Sequence, residues 1–440
     1  MIGIRRPSDR AHGQAFARPS LVGQERQRGL IGVIARLLSH LFSFEVVFGL
    51  YLYSNALKLI IPLPPLPADE TVLLAALSIL IGGTVMVREG LRVDGLVTVG
   101  AFLLFVTYAF VSWSWSASTM LAPRYLTYYA TFQFWNIAAG ALILANSRER
   151  MVRFVLVILT LSTFIALAGI YIYLTYGSFR FYQGFEGSGR VYNRWGYAAS
   201  MGVVIAFAIL AYSSSFSLKQ LLSLVLLGVL GYFILVASSR GSLLAVIGGC
   251  AAILATGMPK ISRDQSIRLN RAQIIAVVVI VSIVAVIAVQ LTMGTSFATF
   301  RRFVKLYEQA QNVNLVFGAN RFSYWDAALR YWYSAPLFGH GIGNFSILFY
   351  SKEILGSHAH NLVLELLADM GFVGLCLFGV LLWSAFRHLS FVRLSNDPLL
   401  LVVFMLAISR LTVGMYSTEL AAMDELFVCI GMLTLRPPER

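Results

Sequence analysis

Two histidines, His358 and His360, stand immediately before a long apolar segment in the sequence SHAHNLVLELLADMGFVGL, residues 357–375. Imidazole gains and loses a proton near neutral pH, so a histidine at the water-accessible end of a membrane span could act as a general base. The same side chain could instead only cap the helix or extend to the interface. Because alternate residues of an extended segment point in opposite directions, we expect His358 to point away. We favour His360, with Asn361 beside it in a supporting role.

Arginines form a second group of candidates. Arg240 lies in the turn SSRG between two apolar segments, and Arg190 and Arg194 lie in the glycine-rich stretch EGSGRVYNRWG. A guanidinium is permanently charged and can donate two parallel hydrogen bonds to a phosphate, so arginines fixed at a membrane surface suit a diphosphate group. Ordinary extension of these side chains to lipid phosphates is the alternative.

Arg410 lies inside an apolar segment and therefore needs an acceptor. Glu419 and Glu425 are the candidate partners. An ion pair that only stabilises the fold is as reasonable as a functional role, and we count Arg410 among the supporting residues.

The sequence predicts neither a metal site nor a disulfide framework. The two histidines alternate in an extended segment without a nearby carboxylate, and the acidic pairs Asp69–Glu70 and Asp424–Glu425 could be interfacial charges or ion-pair partners for Arg410. The three cysteines lie in apolar runs without ligand spacing, so we expect them to pack in the core. No cofactor is predicted.

The composition is that of a membrane protein. Apolar residues make up 58% of the 440 residues and charged residues only 12%, against about a quarter in soluble domains, and the mean hydropathy is +0.76. The net charge of +14 is carried by basic residues that punctuate apolar runs. Anionic lipid or phosphate is therefore a better candidate partner than nucleic acid.

Apolar runs of about 20 residues, the length of a membrane-spanning helix, predict an all-α polytopic protein with about twelve transmembrane helices. Residues 1–40 form a basic, amphipathic segment without the features of a signal peptide. Nine spans are predicted within residues 41–293 and three within residues 361–436. Their ranges are 41–62, 71–87, 95–115, 125–146, 154–176, 196–213, 219–238, 241–258, 272–293, 361–386, 398–416 and 420–436.

Lysine and arginine are concentrated in alternate connections between these spans. The positive-inside rule places those connections, and both termini, in the cytoplasm. The opposite side nevertheless keeps several arginines, including Arg190, Arg194 and Arg240. We therefore expect an anionic group to be bound on that outer side.

Residues 294–360 contain no spanning run and are too many for a structureless loop in a compact protein. We expect a helical lid on the membrane surface, between spans nine and ten. FATFRRFVKLYEQA predicts one basic amphipathic helix. A second is predicted in NRFSYWDAALRYWYSAPLFG, with an Asp326–Arg330 pair and an end before Pro336. Its apolar face would be formed by Phe322, Trp325, Leu329 and Trp332.

Three segments resemble, in order and spacing, the region shared by bacterial O-antigen ligases and O-antigen polymerases: ASSRGSLLAVIGG, NRFSYWDAALRYWYSAPLFGHGIGNF and HAHNLVLELLADMGFVGL. The resemblance covers roughly residues 235–375. It implies a glycosyltransferase of the bacterial inner membrane, active on the periplasmic face, whose donor is a glycan on undecaprenyl diphosphate. In a ligase the acceptor is a sugar hydroxyl of the lipid A core, and in a polymerase it is the end of another lipid-linked repeat.

The resemblance also implies roles for particular residues. A histidine would take the proton of the acceptor hydroxyl, and arginines would stabilise the departing diphosphate, in a one-step, inverting and metal-independent transfer. Trp325 could stack on a sugar ring or could pack within the lid. The corresponding residues are the base His360 with its neighbour Asn361, the arginines Arg240 and Arg321, and, more loosely, Arg190 and Arg194.

We expect a ligase, because the chain has a single dominant outer loop late in the sequence, and a polymerase is the alternative. A twelve-span transporter is the rival from another class, and Glu45 in the first predicted span is the residue that favours it. Transporters bind at the middle of the bilayer and often contain internal repeats. In this chain the ionisable residues gather on one side and no repeat is found.

Overall fold

A computed structural model describes residues 42–61, 68–91, 93–177, 191–212, 218–237, 239–256 and 321–435, with short pieces between residues 260 and 285. This part of the chain is helical except for one short antiparallel pair, Lys260–Ile261 with Ile267–Arg268. The prediction of an all-α protein is therefore confirmed. The basic N-terminal segment, the basic amphipathic helix expected near residue 305 and most of the ninth predicted span lie outside the described residues.

The helices follow one another with short connections. A 3-10 turn at Trp113–Trp115 extends the helix that ends at Ser112. π turns at Tyr129–Gln133 and Ala139–Leu144 lie before and after the short helix Phe134–Ala138. The helices are α1 Phe44–Leu57, α2 Glu70–Glu89, α3 Val93–Ser112, α4 Leu121–Tyr128, α5 Phe134–Ala138, α6 Arg148–Tyr176, α7 Val191–Tyr212, α8 Leu218–Val236, α9 Arg240–Ala251, α10 Arg321–Ser334, α11 Phe345–Tyr350, α12 Leu362–Phe386, α13 Phe391–Asn396, α14 Pro398–Gly414 and α15 Asp424–Met432.

Six of the described helices are long and apolar enough to cross a membrane, which supports a multi-pass membrane protein. Two shorter apolar helices accompany them, Arg240–Leu254 and Pro398–Gly414. The total of twelve spans stays a prediction. The six are Glu70–Glu89, Val93–Trp115, Arg148–Tyr176, Asn193–Tyr212, Leu218–Val236 and Leu362–Phe386.

Segments that the sequence predicts on the cytoplasmic side contact one another in the structure. Glu45, which is buried at the start of α1, lies 3.2 Å from the guanidinium of Arg153 and 3.7 Å from that of Arg150. Arg148 donates two hydrogen bonds, of 2.8 and 2.6 Å, to the carboxylate of Asp397. Glu45 therefore belongs to an ion-paired end of the bundle, and it no longer favours a transporter.

The opposite end of the bundle carries the described part of the lid. The Asp326–Arg330 pair of α10 is confirmed, with 2.5 Å between its charged atoms, and α10 ends before Pro336. Its predicted apolar face is wrong, because Tyr324, Ala327 and Ala328 are the buried residues. α10 packs on α12. Its buried alanines permit a close approach of the two helices, which the spacing of large apolar residues along α10 does not indicate. The location of this lid on a membrane surface stays a prediction.

α12 is interrupted at Gly371, which has a φ of 66°. The segment 336–344, here called the glycine loop, runs along this interruption and forms backbone hydrogen bonds with it. Phe372 donates to the carbonyl of Pro336 at 2.9 Å, and Gly341 donates to the carbonyl of Asp369 at 2.7 Å. The glycine loop thus supplies the partners that a broken helix would otherwise lack.

The carboxylate of Asp369 completes this junction. It accepts hydrogen bonds of 2.9 Å from the backbone N–H groups of Gly343 and Phe345. Because Asp369 is buried, these bonds provide the partners that a polar group needs away from water. They also fix the start of α11.

A second carboxylate anchors the lid to the bundle. Glu353, in the connection after α11, accepts hydrogen bonds from the hydroxyl of Ser118 and from the backbone N–H groups of Met120 and Leu121, the latter two at 3.0 and 3.1 Å. The carboxylate therefore occupies the N-terminus of α4, where unpaired N–H groups favour negative charge. Desolvation alone would raise the pKa of Glu353, but the hydrogen bonds outweigh it and hold the pKa below its ordinary value.

We predict that Gly371→Ala strongly destabilises the protein. An added methyl group would overlap the carbonyl oxygen of Leu337, and the left-handed backbone disfavours any side chain, so we expect a loss of at least about 2 kcal/mol. The measurement is the thermal unfolding of both variants in one detergent. Gly379→Ala, in the same helix with no atom within 4 Å of the added carbon, is the control and should match the wild type. Equal unfolding temperatures for the two variants would contradict the described break.

Acid should release the Glu353 anchor. A carboxyl group whose pKa is lowered by folding stabilises the protein above its unfolded pKa of about 4.3. This stabilisation is lost as the pH falls through the lower folded value. Limited proteolysis of the connection at residues 351–357 should therefore accelerate below about pH 4 in the wild type. Glu353→Gln should be cleaved faster at pH 7 than the wild type, and an unchanged cleavage rate would show that the anchor is unimportant.

Candidate functional site

The connection between α14 and α15, residues 415–423, is the point where the candidate residues meet, and we call it the junction segment. His358 is buried against it. One ring nitrogen of His358, Nε2, lies 3.3 Å from the carbonyl oxygen of Ser417, and the other, Nδ1, lies 3.2 Å from that of Gly356. The carboxylate of Glu419 is 4.0 Å from Nδ1.

His360 is partly buried and packs directly on His358. The two ring centroids are 4.1 Å apart, and the ring of Tyr324 lies 5.3 Å from His360 on its other side. The expectation that the two imidazoles point apart is therefore wrong. His360 has a φ of 53°, so the chain is not extended there and the alternation of an extended segment does not apply.

Asn361 positions the histidines by starting α12. Its side-chain oxygen accepts a hydrogen bond of 3.1 Å from the backbone N–H of Leu364, which is the usual contact of a helix N-cap. The cap fixes the first turn of α12 immediately after His360. Asn361 thus acts through the backbone that carries His360.

A cavity of about 190 Å³ opens beside the junction segment. Arg124 and Arg194 contribute positive charge to it, and Glu419 contributes a carboxylate, to which the hydroxyl of Tyr125 donates a hydrogen bond of 3.0 Å. The remaining polar and aromatic lining residues are Tyr53, Asn55, Tyr128, Tyr197, Thr418, Asp424 and Glu425. Such a mixture of amphipathic rings and charged groups can bind hydroxyl-rich molecules.

Amide side chains support the acidic wall of this cavity. Gln133 and Asn136 donate hydrogen bonds of 2.7 and 3.1 Å to the carboxylate of Asp424. Gln133 ends the π turn at Tyr129–Gln133, a helical irregularity that is often found at functional sites. No motif in the sequence predicts this cluster, although the Asp424–Glu425 pair is visible there.

Two predicted arginines are brought to the same region by helix starts. Arg240 is the first residue of α9, and a carbon added at its neighbour Gly241 would lie 3.1 Å from the hydroxyl of Tyr197 and 3.5 Å from Ser417. Arg321 begins α10 and is close enough to Tyr197 for an electrostatic interaction. Both helix starts therefore approach the junction segment.

Of the other predicted residues, Trp325 and Arg410 lie in the described part of the chain. Trp325 reaches the junction segment, with its ring centroid 6.5 Å from that of Tyr416. Arg190 lies outside the described residues. Arg410 is buried, and its guanidinium donates to the hydroxyl of Ser200 at 2.5 Å and to the carbonyl of Tyr197 at 3.1 Å. The carboxylate partner expected for Arg410 is not found within the described residues, because α14 turns this side chain toward α7.

Sequence reasoning missed Arg124 and the role of Glu419. Arg124 lines the cavity together with Arg194, but no motif in the sequence marks it, and Glu419 was considered only as a partner for Arg410. Within the described part of the chain, no three His, Cys, Asp or Glu side chains are placed to hold one metal ion. The metal independence of the reaction stays a prediction.

The span-length helices and the polar site at one end of the bundle define a multi-pass membrane protein. Residues 222–379, which contain α9, α10 and the two histidines, match the family model described as O-antigen ligase. This part of the chain is therefore similar to the O-antigen ligase family, as the motifs indicated, and the similarity indicates glycosyl transfer. No curated protein matches the chain.

We predict that Asn361→Ala costs about 1 kcal/mol of stability, because it removes the N-cap acceptor. Asn361→Ser restores an acceptor at the same position and should recover most of this loss. The measurement is thermal unfolding of both variants together with their glycan-transfer rates. If Asn361 acts only through the backbone, the transfer rate should recover in the serine variant as well. A stable but inactive serine variant would mean that the amide itself contacts substrate.

Proposed function

We propose that this protein is an O-antigen ligase that moves a glycan from undecaprenyl diphosphate to a sugar hydroxyl of the lipid A core. The main support for this proposal is that the three segments resembling the family converge on the junction segment. Arg240 arrives with α9, Arg321 with α10, and His360 with the start of α12. These segments are separated by long stretches of chain, and a shared site is a physical reason for them to meet.

His360 is the proposed base. Its ring is partly buried between His358 and Tyr324, which limits its motion, while its remaining exposure allows contact with an acceptor. The acceptor hydroxyl oxygen would attack the anomeric carbon from the face opposite the diphosphate. The bond between that carbon and the diphosphate oxygen breaks, its electron pair leaves with the diphosphate, and the hydroxyl proton passes to His360. The product has the inverted configuration.

Arginines would bind the diphosphate. Arg240 stands at the N-terminus of α9, where the helix dipole adds favourable potential for an anion, and Arg321 is the first described residue of α10. Their fixed charge opposes the negative charge that develops as the diphosphate departs. Arg194 lines the adjacent cavity, and Arg190 joins this group on the resemblance alone. No metal ion and no cofactor is part of the proposal.

The cavity is a candidate place for a sugar. About 190 Å³ is below the roughly 300–1,000 Å³ that drug-sized ligands occupy, so the cavity suits one ring unit of a glycan. Tyr125 and Tyr128 offer apolar faces, and Glu419 and Asp424 offer acceptors for hydroxyl groups. In this arrangement Arg410 is a structural support of α7, and Trp325 lines the approach beside Tyr416.

The proposed location is the bacterial inner membrane, with the site on the periplasmic side. It rests on the alternating distribution of lysine and arginine and on the resemblance. Contacts such as that between Lys58 and Asp69, 2.9 Å apart, join segments that the sequence predicts on the same side. An O-antigen polymerase is the alternative, since the family segments are common to both activities.

We predict that His360→Ala lowers glycan transfer by about 100-fold or more, as expected for the loss of a general base. The assay uses purified protein in liposomes, with lipid-linked glycan and lipid A core added separately, in the presence of EDTA. His388→Ala, which changes an exposed histidine outside the matched region, is the control and should transfer at the wild-type rate.

The same assay separates the alternatives. Glycan on the lipid A core, lost in His360→Ala, supports a ligase that needs no metal. Chain extension without the core acceptor would assign a polymerase instead. A wild-type rate for His360→Ala would remove His360 from the reaction, and loss of activity in EDTA alone would contradict the metal-independent mechanism.

A further inference from the structure

The described neighbours of the two ring nitrogens of His358 are oxygen atoms that accept hydrogen bonds. Nδ1 faces the carbonyl oxygen of Gly356 at 3.2 Å and the carboxylate of Glu419 at 4.0 Å, and Nε2 faces the carbonyl oxygen of Ser417 at 3.3 Å. A neutral imidazole has one N–H donor and one lone pair. In either neutral tautomer, therefore, one ring nitrogen would direct its lone pair at an oxygen.

The doubly protonated ring removes this conflict. Both nitrogens then donate, and the positive charge is balanced by the carboxylate of Glu419. Glu419 is itself held in place by the hydroxyl of Tyr125, which donates to it at 3.0 Å. His358 is buried, and a buried charge is tolerated when it is paired and hydrogen-bonded in this way.

We propose that His358 is a permanently cationic positioning residue, held as an imidazolium by Glu419 and the two carbonyl oxygens, which keeps the adjacent His360 in its neutral, base form. The effect on His360 rests on the proposed function, but the charge state of His358 does not. The ring centroids of the two histidines are 4.1 Å apart. A fixed positive charge at this distance disfavours a second proton on the neighbouring ring.

Other charged and titratable groups lie on the described elements packed around this pair. α10 contributes Arg321 and Tyr324, and Tyr324 shares a hydrogen bond of 2.5 Å with Tyr350 of α11. α12 contributes Glu365, whose carboxylate accepts from the backbone N–H of Leu420 at 3.4 Å. Among the carboxylates of these described elements, Glu419 is the one that lies within 4.0 Å of a histidine nitrogen. Substitution of Glu419 therefore tests the charge of His358.

The first experiment measures protonation directly. The chain has six histidines, so labelling with ¹⁵N-histidine gives few imidazole signals, and ¹⁵N shifts distinguish the doubly protonated ring from both neutral tautomers. In the wild-type protein, one histidine should remain doubly protonated at pH 8, well above the ordinary pKa of about 6.5. That signal should disappear in His358→Gln.

Glu419→Gln is the second variant. Without the carboxylate, the same signal should titrate to the neutral form below pH 8. His388→Gln, which alters an exposed histidine, should leave the signal unchanged. The proposal is overturned if all six histidines of the wild type are neutral at pH 8, or if the persistent cation survives in His358→Gln.

The second experiment measures the consequence for the reaction. In the transfer assay, the low-pH limb of the rate should move to higher pH by about 1 unit in His358→Gln, because His360 can then take up a proton more easily. A persistent cation with no transfer activity in the wild type would overturn the proposed function and leave the charge state of His358 standing. An unshifted low-pH limb in an active His358→Gln variant would overturn the coupling between the two rings.

Discussion

The carboxylate of Asp369 accepts hydrogen bonds from the backbone N–H groups of Gly343 and Phe345, and the geometry of the described lid follows from this contact. It joins the glycine loop to α12 at the point where the helix is interrupted. Once the loop is fixed, the chain on either side of it is fixed as well. α10 then lies against the start of α12, and α11 lies beside α10, so that Tyr324 meets His360. A contact between one carboxylate and the backbone of a second segment thus sets the distance between a lid residue and the proposed base.

The second constraint is the placement of polar groups inside an apolar bundle. Asp424, Gln133 and Asn136 form hydrogen bonds with one another, which offsets the cost of removing them from water. The guanidinium of Arg410 likewise donates hydrogen bonds to a backbone carbonyl oxygen and a hydroxyl oxygen of α7. Polar residues that are satisfied internally hold their positions without solvent. A site with this support can present Glu419 and the cavity arginines in a defined arrangement.

The sequence was sufficient for the similarity to the O-antigen ligase family and for the helical class. His360, Asn361, Arg240 and Arg321 belong to recognisable segments, and the structure brings those segments together. The contact between His358 and His360 could not be predicted, because it depends on a positive φ at a residue other than glycine.

Long-range contacts were inaccessible for a different reason. Glu353 binds the start of α4 more than 230 residues earlier in the chain, and Glu419 meets Tyr125 across a similar separation. No periodicity or local motif encodes such pairs. The buried face of α10 was mispredicted because it is formed by Tyr324 and two small alanines, Ala327 and Ala328, which the spacing of large apolar residues does not mark.

The interruption of α12 has a consequence for the depth of the site. Measured from Leu362 at 1.5 Å per residue, Gly371 lies about 14 Å along the helix axis, which is nearly half of a hydrocarbon layer of about 30 Å. On the proposed topology, the glycine loop is a re-entrant segment, and its irregular backbone is tolerated at that level because α12 supplies its partners. On the same topology, the loop forms a floor below the surface of the leaflet. An amphiphile could bring its head group to this floor from the side while its hydrocarbon tail remains in the bilayer.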